Sequence, residues 1–426
     1  MKGLIFTYAL CYGGAVVSLF NPFVGLLIYV CFAIIKPESL WYWSVPRGNY
    51  SRIIAVALLL GWARDKIRDW RFGKAAGVAA AFAGLWLWSV VSALAAPDQE
   101  RAWFFVETVF KILLPFVVGL SLIDSVRKLK QLTWVIVLSQ GYLAFEFNQY
   151  YLFQGINYAK DFGFAGMEEG SIAIGMVTAL SLAIYLILES DAWWQKAVAF
   201  FIAGCLVHVV LLSFSRGGML GLIGVGFVTL IMVPKRPTNL AVLAAGGLIA
   251  ISLAGQEVIK RFETTFRQTE VRDYSAQSRL ELWGNCWDAM LHHPLLGVGP
   301  WQFPLVAHSQ YGWPQVKEGH SLWLQMGAEL GVPGFVCLIA FYALGVRRLW
   351  PIARGKAPVP DPWLRVGARM VVTATIGFAV AAQFISLWAL ELPYYIMLIG
   401  AAVIKLQGAA EPEMRGADLA QTPQEC

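Results

Sequence analysis

Apolar runs of about 15 to 22 residues recur along almost the whole chain, the length that a helix needs to cross a bilayer. They cover residues 4–20, 23–35, 53–62, 76–94, 103–122, 132–150, 172–188, 197–212, 219–233 and 240–254, then 322–344, 366–387 and 394–404. The runs are continuous rather than alternating, which predicts spanning helices and excludes a β-barrel. About 12 crossings are expected, or 13 if Asn21-Pro22 turns a full hairpin. One long polar interval, residues 256–319, interrupts the series and predicts a large loop containing helices.

Charge then orients the pattern. Basic residues occupy every second short connection: Lys66, Arg68 and Arg71; Arg127, Lys128 and Lys130; Lys196; Lys235 and Arg236; and Arg347 onward to Arg365. By the positive-inside rule these loops lie in the cytoplasm, and the large loop lies on the opposite face. The net charge of +6 is therefore a report of topology, and no nucleic-acid partner is expected. The organisation read from this is a bundle over 1–254, an outer loop over 255–320, further spanning helices over 321–406, and a disordered cytoplasmic tail over 407–426. The first run has only Lys2 before it and no small-residue cleavage site after it, so it is expected to stay as a spanning segment.

Composition agrees. The chain of 426 residues is 58% hydrophobic and 14% charged, with a mean hydropathy of +0.60, values that fit a multi-pass membrane protein. The six cysteines show neither a disulfide framework nor zinc spacing.

Three residues stand out against this background. In Ser213-Phe214-Ser215-Arg216-Gly217-Gly218, Ser215 has the character of an N-cap, which puts Arg216 in the first turn of a spanning helix on the outer side. A cation there is disfavoured by the helix dipole unless an anion is near, and the glycines leave backbone N–H groups approachable. The plainer reading is a snorkelling arginine beside a close-packing Gly217-x-x-x-Gly221 face. Ser278-Arg279-Leu280-Glu281 reads as a capping box, followed by a helix whose Leu280, Trp283, Trp287 and Leu291 share one face. Arg279 then repeats the arrangement of Arg216; as a plain loop residue it would pair with Glu281 or Asp273.

His320 precedes Ser321 at the mouth of another spanning helix, where the dipole favours a neutral imidazole able to accept a proton. Arg261, Arg267 and Arg272 lie in a mixed-charge run that most often forms a solvated face. Glu107 and Lys111, spaced i,i+4 inside one apolar run, predict a mutual pair buried in the bundle. His208 reads as a satisfied core histidine, His292 and His293 as residues of a helix C-terminus, and Glu146, Glu329 and Glu391 as intramembrane or interfacial carboxylates without an assigned role. There is no Asp-x-Asp, no phosphate loop with lysine and no His-Glu-x-x-His, so no metal or other cofactor is expected. Two arginines and a histidine opening outward-facing helices suit a dianionic head group at the membrane surface, and in bacteria a glycan-bearing lipid pyrophosphate is such a group.

The same stretch resembles the O-antigen ligase and polymerase superfamily. The resemblance rests on Ser215-Arg216-Gly217, Arg279 before an aromatic helix, Pro294-Leu295-Leu296-Gly297-Val298-Gly299, and Gly319-His320-Ser321 followed by Glu329-Leu330-Gly331-Val332-Pro333-Gly334. It spans about residues 200–344, and residues 1–62 look like a subgroup of O-glycosylation ligases linked to exosortase systems. In the superfamily the histidine is often followed by Asn; here Ser321 follows.

The resemblance implies a mostly helical, GT-C-like fold and a metal-independent inverting glycosyltransferase in the bacterial inner membrane, with its active site toward the periplasm. Arg216 and Arg279 would bind the pyrophosphate of an undecaprenyl-pyrophosphate-linked glycan, and His320 would take the acceptor's proton. Ser215, Gly217, Arg267, Arg272 and Ser321 would make further substrate contacts. The expected acceptor is lipid A core, which makes the protein an O-antigen ligase. A polymerase, a protein O-glycosylation ligase and, from another class, a transporter of lipid-linked saccharide are the alternatives. The transporter would call for internal repeats and helices broken at mid-membrane.

Overall fold

In a computed structural model of the protein, which describes residues 1–65, 70–253 and 274–420, the apolar runs become helices. They are α1 (Lys2–Phe20), α2 (Pro22–Ile35), α3 (Tyr50–Arg64), α4 (Ala76–Leu94), α5 (Gln99–Leu122), α6 (Val126–Gln154), α7 (Glu169–Glu189), α8 (Trp193–Leu212), α9 (Arg216–Met232) and α10 (Pro237–Leu253). After the loop region come α11 (Tyr274–His292), α12 (Phe303–Gln310), α13 (Leu322–Ala353), α14 (Pro362–Ala381) and α15 (Leu392–Ala420). The protein is an all-α, multi-pass membrane protein. Nine helices among the described residues are long and apolar enough to cross a membrane. α3, α9 and α10 are shorter and α6 is more polar.

Asn21-Pro22 separates the first two of the nine. Asn21 Oδ1 accepts from Val24 N at 3.3 Å, and Pro22 takes the first helical position, so the two residues end α1 and start α2 as a hairpin. Gly61 of α3 then lies against α1 so closely that a Cβ would come within 2.1 Å of the Ser18 carbonyl oxygen.

Most of the basic loops expected together do gather at one end. There Lys405 Nζ donates to the carbonyls of Leu120 and Ile123 at 2.8 and 3.3 Å, Arg354 to Ile231 O at 3.2 Å, and Arg64 to Leu19 O at 3.4 Å. Arg369 pairs with Glu189 at 3.4 Å. Each supplies charge to a carbonyl or carboxylate at a helix end.

Helix α15 runs as far as Ala420. One expectation changes. Glu107 and Lys111 do pair, at 2.7 Å, with Arg52 3.8 Å from the same carboxylate, but their side chains are half exposed on the outside of the bundle. The i,i+4 spacing determines the pair and says nothing of which side of α5 faces inward.

Candidate active site

At the end of the bundle away from those basic loops, five chain segments meet around a cavity of about 230 Å³. Arg216, Arg279 and His320 all line it, together with Glu168, Glu169 and Phe214. Ala381, Phe384 and Ile385, where α14 ends, form its floor.

Arg216 is positioned as its surroundings in sequence suggest. Ser215 caps α9, its Oγ accepting from Gly218 N at 3.2 Å, and Arg216 opens the helix. That hydrogen bond occupies the Gly218 N–H, so the glycine pair is less open to a ligand than expected. The glycines mainly serve packing: a Cβ on Gly217 would meet Phe384 Cβ at 3.2 Å, and one on Gly221 would meet Ala381 Cβ at 2.9 Å. The close-packing face and the cavity are thus one feature, since α14 pressed against α9 forms the floor beneath Arg216.

Arg279 arrives differently from the expectation. α11 already begins at Tyr274, so Ser278 is inside the helix rather than at its cap, and Arg279 stands in the second turn. The residues before it are polar helix-tolerant types, and nothing stops the helix from starting earlier. The face that these apolar residues share is turned outward: Leu280, Trp287 and Leu291 are exposed, while Leu282, Cys286 and Ala289 pack inward against Phe303, Ala307 and Ala328. Of the four aromatic and apolar positions, Trp283 is the one that holds the site, packing on Phe384 with ring centroids 5.9 Å apart.

His320 is held from both sides. Its carbonyl accepts from Trp283 Nε1 at 3.3 Å, and Gly319 before it donates N–H to Gln325 Oε1 at 2.8 Å. Gly319 also lies against Cys286, where a Cβ would come within 2.6 Å of Sγ. Ser321 is buried and caps α13, accepting from Leu324 N at 3.4 Å; its hydroxyl serves the helix instead of the cavity. His320 itself adopts the left-handed conformation, φ 48°, as does Phe214, φ 52°, one residue before Ser215. Each such residue costs on the order of 1 to 3 kcal/mol, and such strain persists where packing over-determines the backbone.

Burial, then the charges of Arg279 and Lys317, push the His320 imidazole down to about 4. The neutral form expected at the mouth of a helix is thus held chiefly by desolvation. Glu318, two residues earlier, moves the other way: burial and the Glu168 carboxylate push it up to about 7. Glu168, Glu169 and Glu318 escaped the sequence reading. The one signal was the acidic doublet at the start of α7, but acidic residues there are ordinary in sequence, and only the fold brings Glu168 and Glu169 to the cavity that the arginines line.

The motifs at residues 294–301 and 329–334 form a clasp behind the histidine. α13 breaks at Gly331, φ 66°, and the turn fits into the break. Val298 N donates to Ala328 O at 2.9 Å, Gly299 N to Glu329 O at 3.0 Å, and Val332 N to Pro294 O at 2.8 Å. Glu329, fully buried, accepts from Trp301 N at 3.1 Å and from Gln325 Nε2 at 2.9 Å. Gln325 Oε1 in turn accepts from Gly319 and from the Ser386 hydroxyl. Glu329, left unassigned from sequence, is therefore a buttress whose hydrogen bonds run to the residue beside His320.

The remaining candidates are elsewhere. Arg261, Arg267 and Arg272 lie outside the described residues. His208 Nδ1 is hydrogen-bonded to Asn148 Oδ1 as a core histidine should be, and His292 Nδ1 to Asp288 O at 3.0 Å within the last turn of α11. Glu146 accepts from Tyr142 at 2.6 Å and Glu391 from Tyr395 at 3.0 Å.

Comparison with known families bears on this geometry directly. Residues 198–339 match the family described as O-antigen ligase, and that stretch holds Arg216, Arg279 and His320. The match supports the resemblance to the superfamily and, with it, a membrane glycosyltransferase type of enzyme acting on lipid-linked glycans. Residues 1–190 match a family of unknown function (DUF5935), which assigns no activity to that half and leaves its likeness to exosortase-linked ligases a resemblance. No curated protein matches the chain.

Proposed function

We propose that the protein is an O-antigen ligase that moves a preassembled glycan en bloc from undecaprenyl pyrophosphate to lipid A core, with its cavity opening to the periplasm. The observation that carries this reading is the single cavity lined by Arg216, Arg279 and His320, which come from three separate stretches of the family segment. In the reaction an acceptor hydroxyl oxygen attacks the anomeric carbon from the face opposite the pyrophosphate. The new C–O bond forms as the bond to the pyrophosphate oxygen breaks, the leaving oxygen keeps the electron pair, and the configuration inverts.

Arg216 and Arg279 stabilise the charge gathering on the leaving group by charge-assisted hydrogen bonds, a role that gives the chemistry its independence from metal. His320 takes the acceptor's proton. An imidazole held near 4 is a weak base, but part of that depression comes from Arg279. A pyrophosphate dianion between the arginines offsets their charge and raises the imidazole's proton affinity. Donor binding thus strengthens the base just before it is used.

The test is transfer by the purified protein in nanodiscs, with undecaprenyl-pyrophosphate-linked glycan, lipid A core and a chelator present. Glycosylated lipid A core is the expected product. Product found only on a second lipid-linked glycan, or only on a protein hydroxyl, would replace the acceptor, and no transfer to any of the three would sink the reading.

A further inference from the structure

A second, open cleft of about 460 Å³ shares Glu168 and Glu169 with the first cavity. Its other walls include Ser39, Tyr158, Lys160 and Phe162. The lining is that of a sugar site: carboxylates accept paired hydroxyl donors, a lysine and a serine add further polar contacts, and aromatic faces receive the C–H side of a pyranose ring. Phe162 is 70% exposed, with its ring centroid 5.4 Å from that of Tyr158. Tyr158 is fixed in place by stacking, with ring centroids 5.7 Å from Phe147 and 5.2 Å from Tyr150.

The cleft is built as one piece with the catalytic cavity. Asn157 Nδ2 donates to Leu212 O at 2.7 Å, and Lys160 Nζ sits 4.9 Å from the ring centroid of Phe214, a residue of the catalytic cavity's wall. The dividing hairpin is tight: Phe164 and Met167 exchange backbone hydrogen bonds at 2.9 and 2.8 Å, with Gly163, Ala165 and Gly166 all at positive φ.

We propose that this cleft is a saccharide subsite, which positions the sugar chain of one of the two substrates across the Glu168-Glu169 ridge. The proposal rests on the transferase reading above for what the sugar is there to do. Its two sources are the acceptor's oligosaccharide and the donor's glycan, and they share this chemistry.

The full-length protein in nanodiscs is titrated separately with fluorescein-labelled core oligosaccharide released from lipid A and with labelled undecaprenyl-pyrophosphate-linked glycan, and anisotropy is read. Ser39→Trp fills the cleft from a wall that the catalytic cavity does not share, and Phe162→Ala removes an exposed ring with little effect on folding. The expected result is a Kd at least about tenfold weaker for one probe in Ser39→Trp and several-fold weaker in Phe162→Ala, the other probe being unchanged. Weakening confined to the core oligosaccharide assigns the cleft to the acceptor, and weakening confined to the lipid-linked glycan assigns it to the donor. Binding of both probes as in the unaltered protein overturns the subsite, and if Ser39→Trp does not fold, Phe162→Ala decides alone. Transfer without any loss of binding in the variants would remove the subsite and leave the ligase standing; loss of binding without transfer in the unaltered protein would do the reverse.

Discussion

The two ends of the bundle hold the same kinds of side chain and use them in opposite ways. At one end cations are absorbed by the fold: Lys405 closes over the carbonyls that end α5, Arg369 meets Glu189, and Arg354 reaches Ile231 O. At the other end Arg216 and Arg279 line a cavity of about 230 Å³ beside a neutral imidazole. A charge at a helix C-terminus completes that helix, whereas one in the early turns of a helix gains most from an external anion. The difference teaches that the count of basic residues says little about function and that their place along a helix says much.

Removing one residue at a time at the cavity end should break the comparison most sharply. His320→Ala should lose about 10² to 10⁴ in turnover while still binding the lipid-linked donor, as loss of a general base does. Arg216→Ala or Arg279→Ala should weaken donor binding as well, each by about 1.5 to 3 kcal/mol for a charge-assisted contact. Single-turnover rates beside donor Kd separate the two effects, and near-normal transfer by the histidine variant would remove it as the base.

At the opposite end the same kind of change should affect folding alone. Lys405→Met leaves the carbonyls of Leu120 and Ile123 without their donor, a loss of about 1 to 3 kcal/mol of stability. Its turnover, measured on the folded fraction, should stay within about twofold of the unaltered protein. A large drop in turnover there would show that the two ends are not separate in function.

The smallest effect expected is on the pH dependence of stability. Glu318 is raised from 4.5 to about 7, so between those values the native state holds more protons than the unfolded chain, and stability falls as pH rises through that window. His320 is lowered from 6.5 to about 4, so the unfolded chain takes up the proton first, and stability falls as pH drops from 6.5 toward 4. Glu318→Gln should therefore raise the melting temperature at pH 8 more than at pH 5, and His320→Gln should flatten the acid side. Melting curves across pH 4 to 8 check both signs.

The helical architecture was legible in the chain because lipid leaves a spanning backbone few other options, and each apolar run reports its own length. Ser215 as a cap and Arg216 in the first turn were legible for the same local reason, since the bonds involved are three residues apart. Where the reading slipped, it depended on which side of a helix meets a neighbour. α11 carries an apolar row on its outer face and buries Leu282 and Cys286 instead, and no periodicity distinguishes a face turned to protein from one turned to lipid.

Glu168 and Glu169 show the remaining limit. Some fifty residues separate them from Arg216 in sequence, and more than a hundred separate them from Arg279 and His320. Local pattern could nominate each arginine and the histidine, because each sits near its own helix start. Bringing Glu168 and Glu169 into the wall of the same cavity, and setting the clasp of Glu329 and Gln325 behind the histidine, required α7, α9, α11 and α13 to converge on the end of α14. Such convergence is a matter of how whole helices pack, where each small residue such as Gly217 or Gly319 sets an approach distance that no short stretch of chain contains.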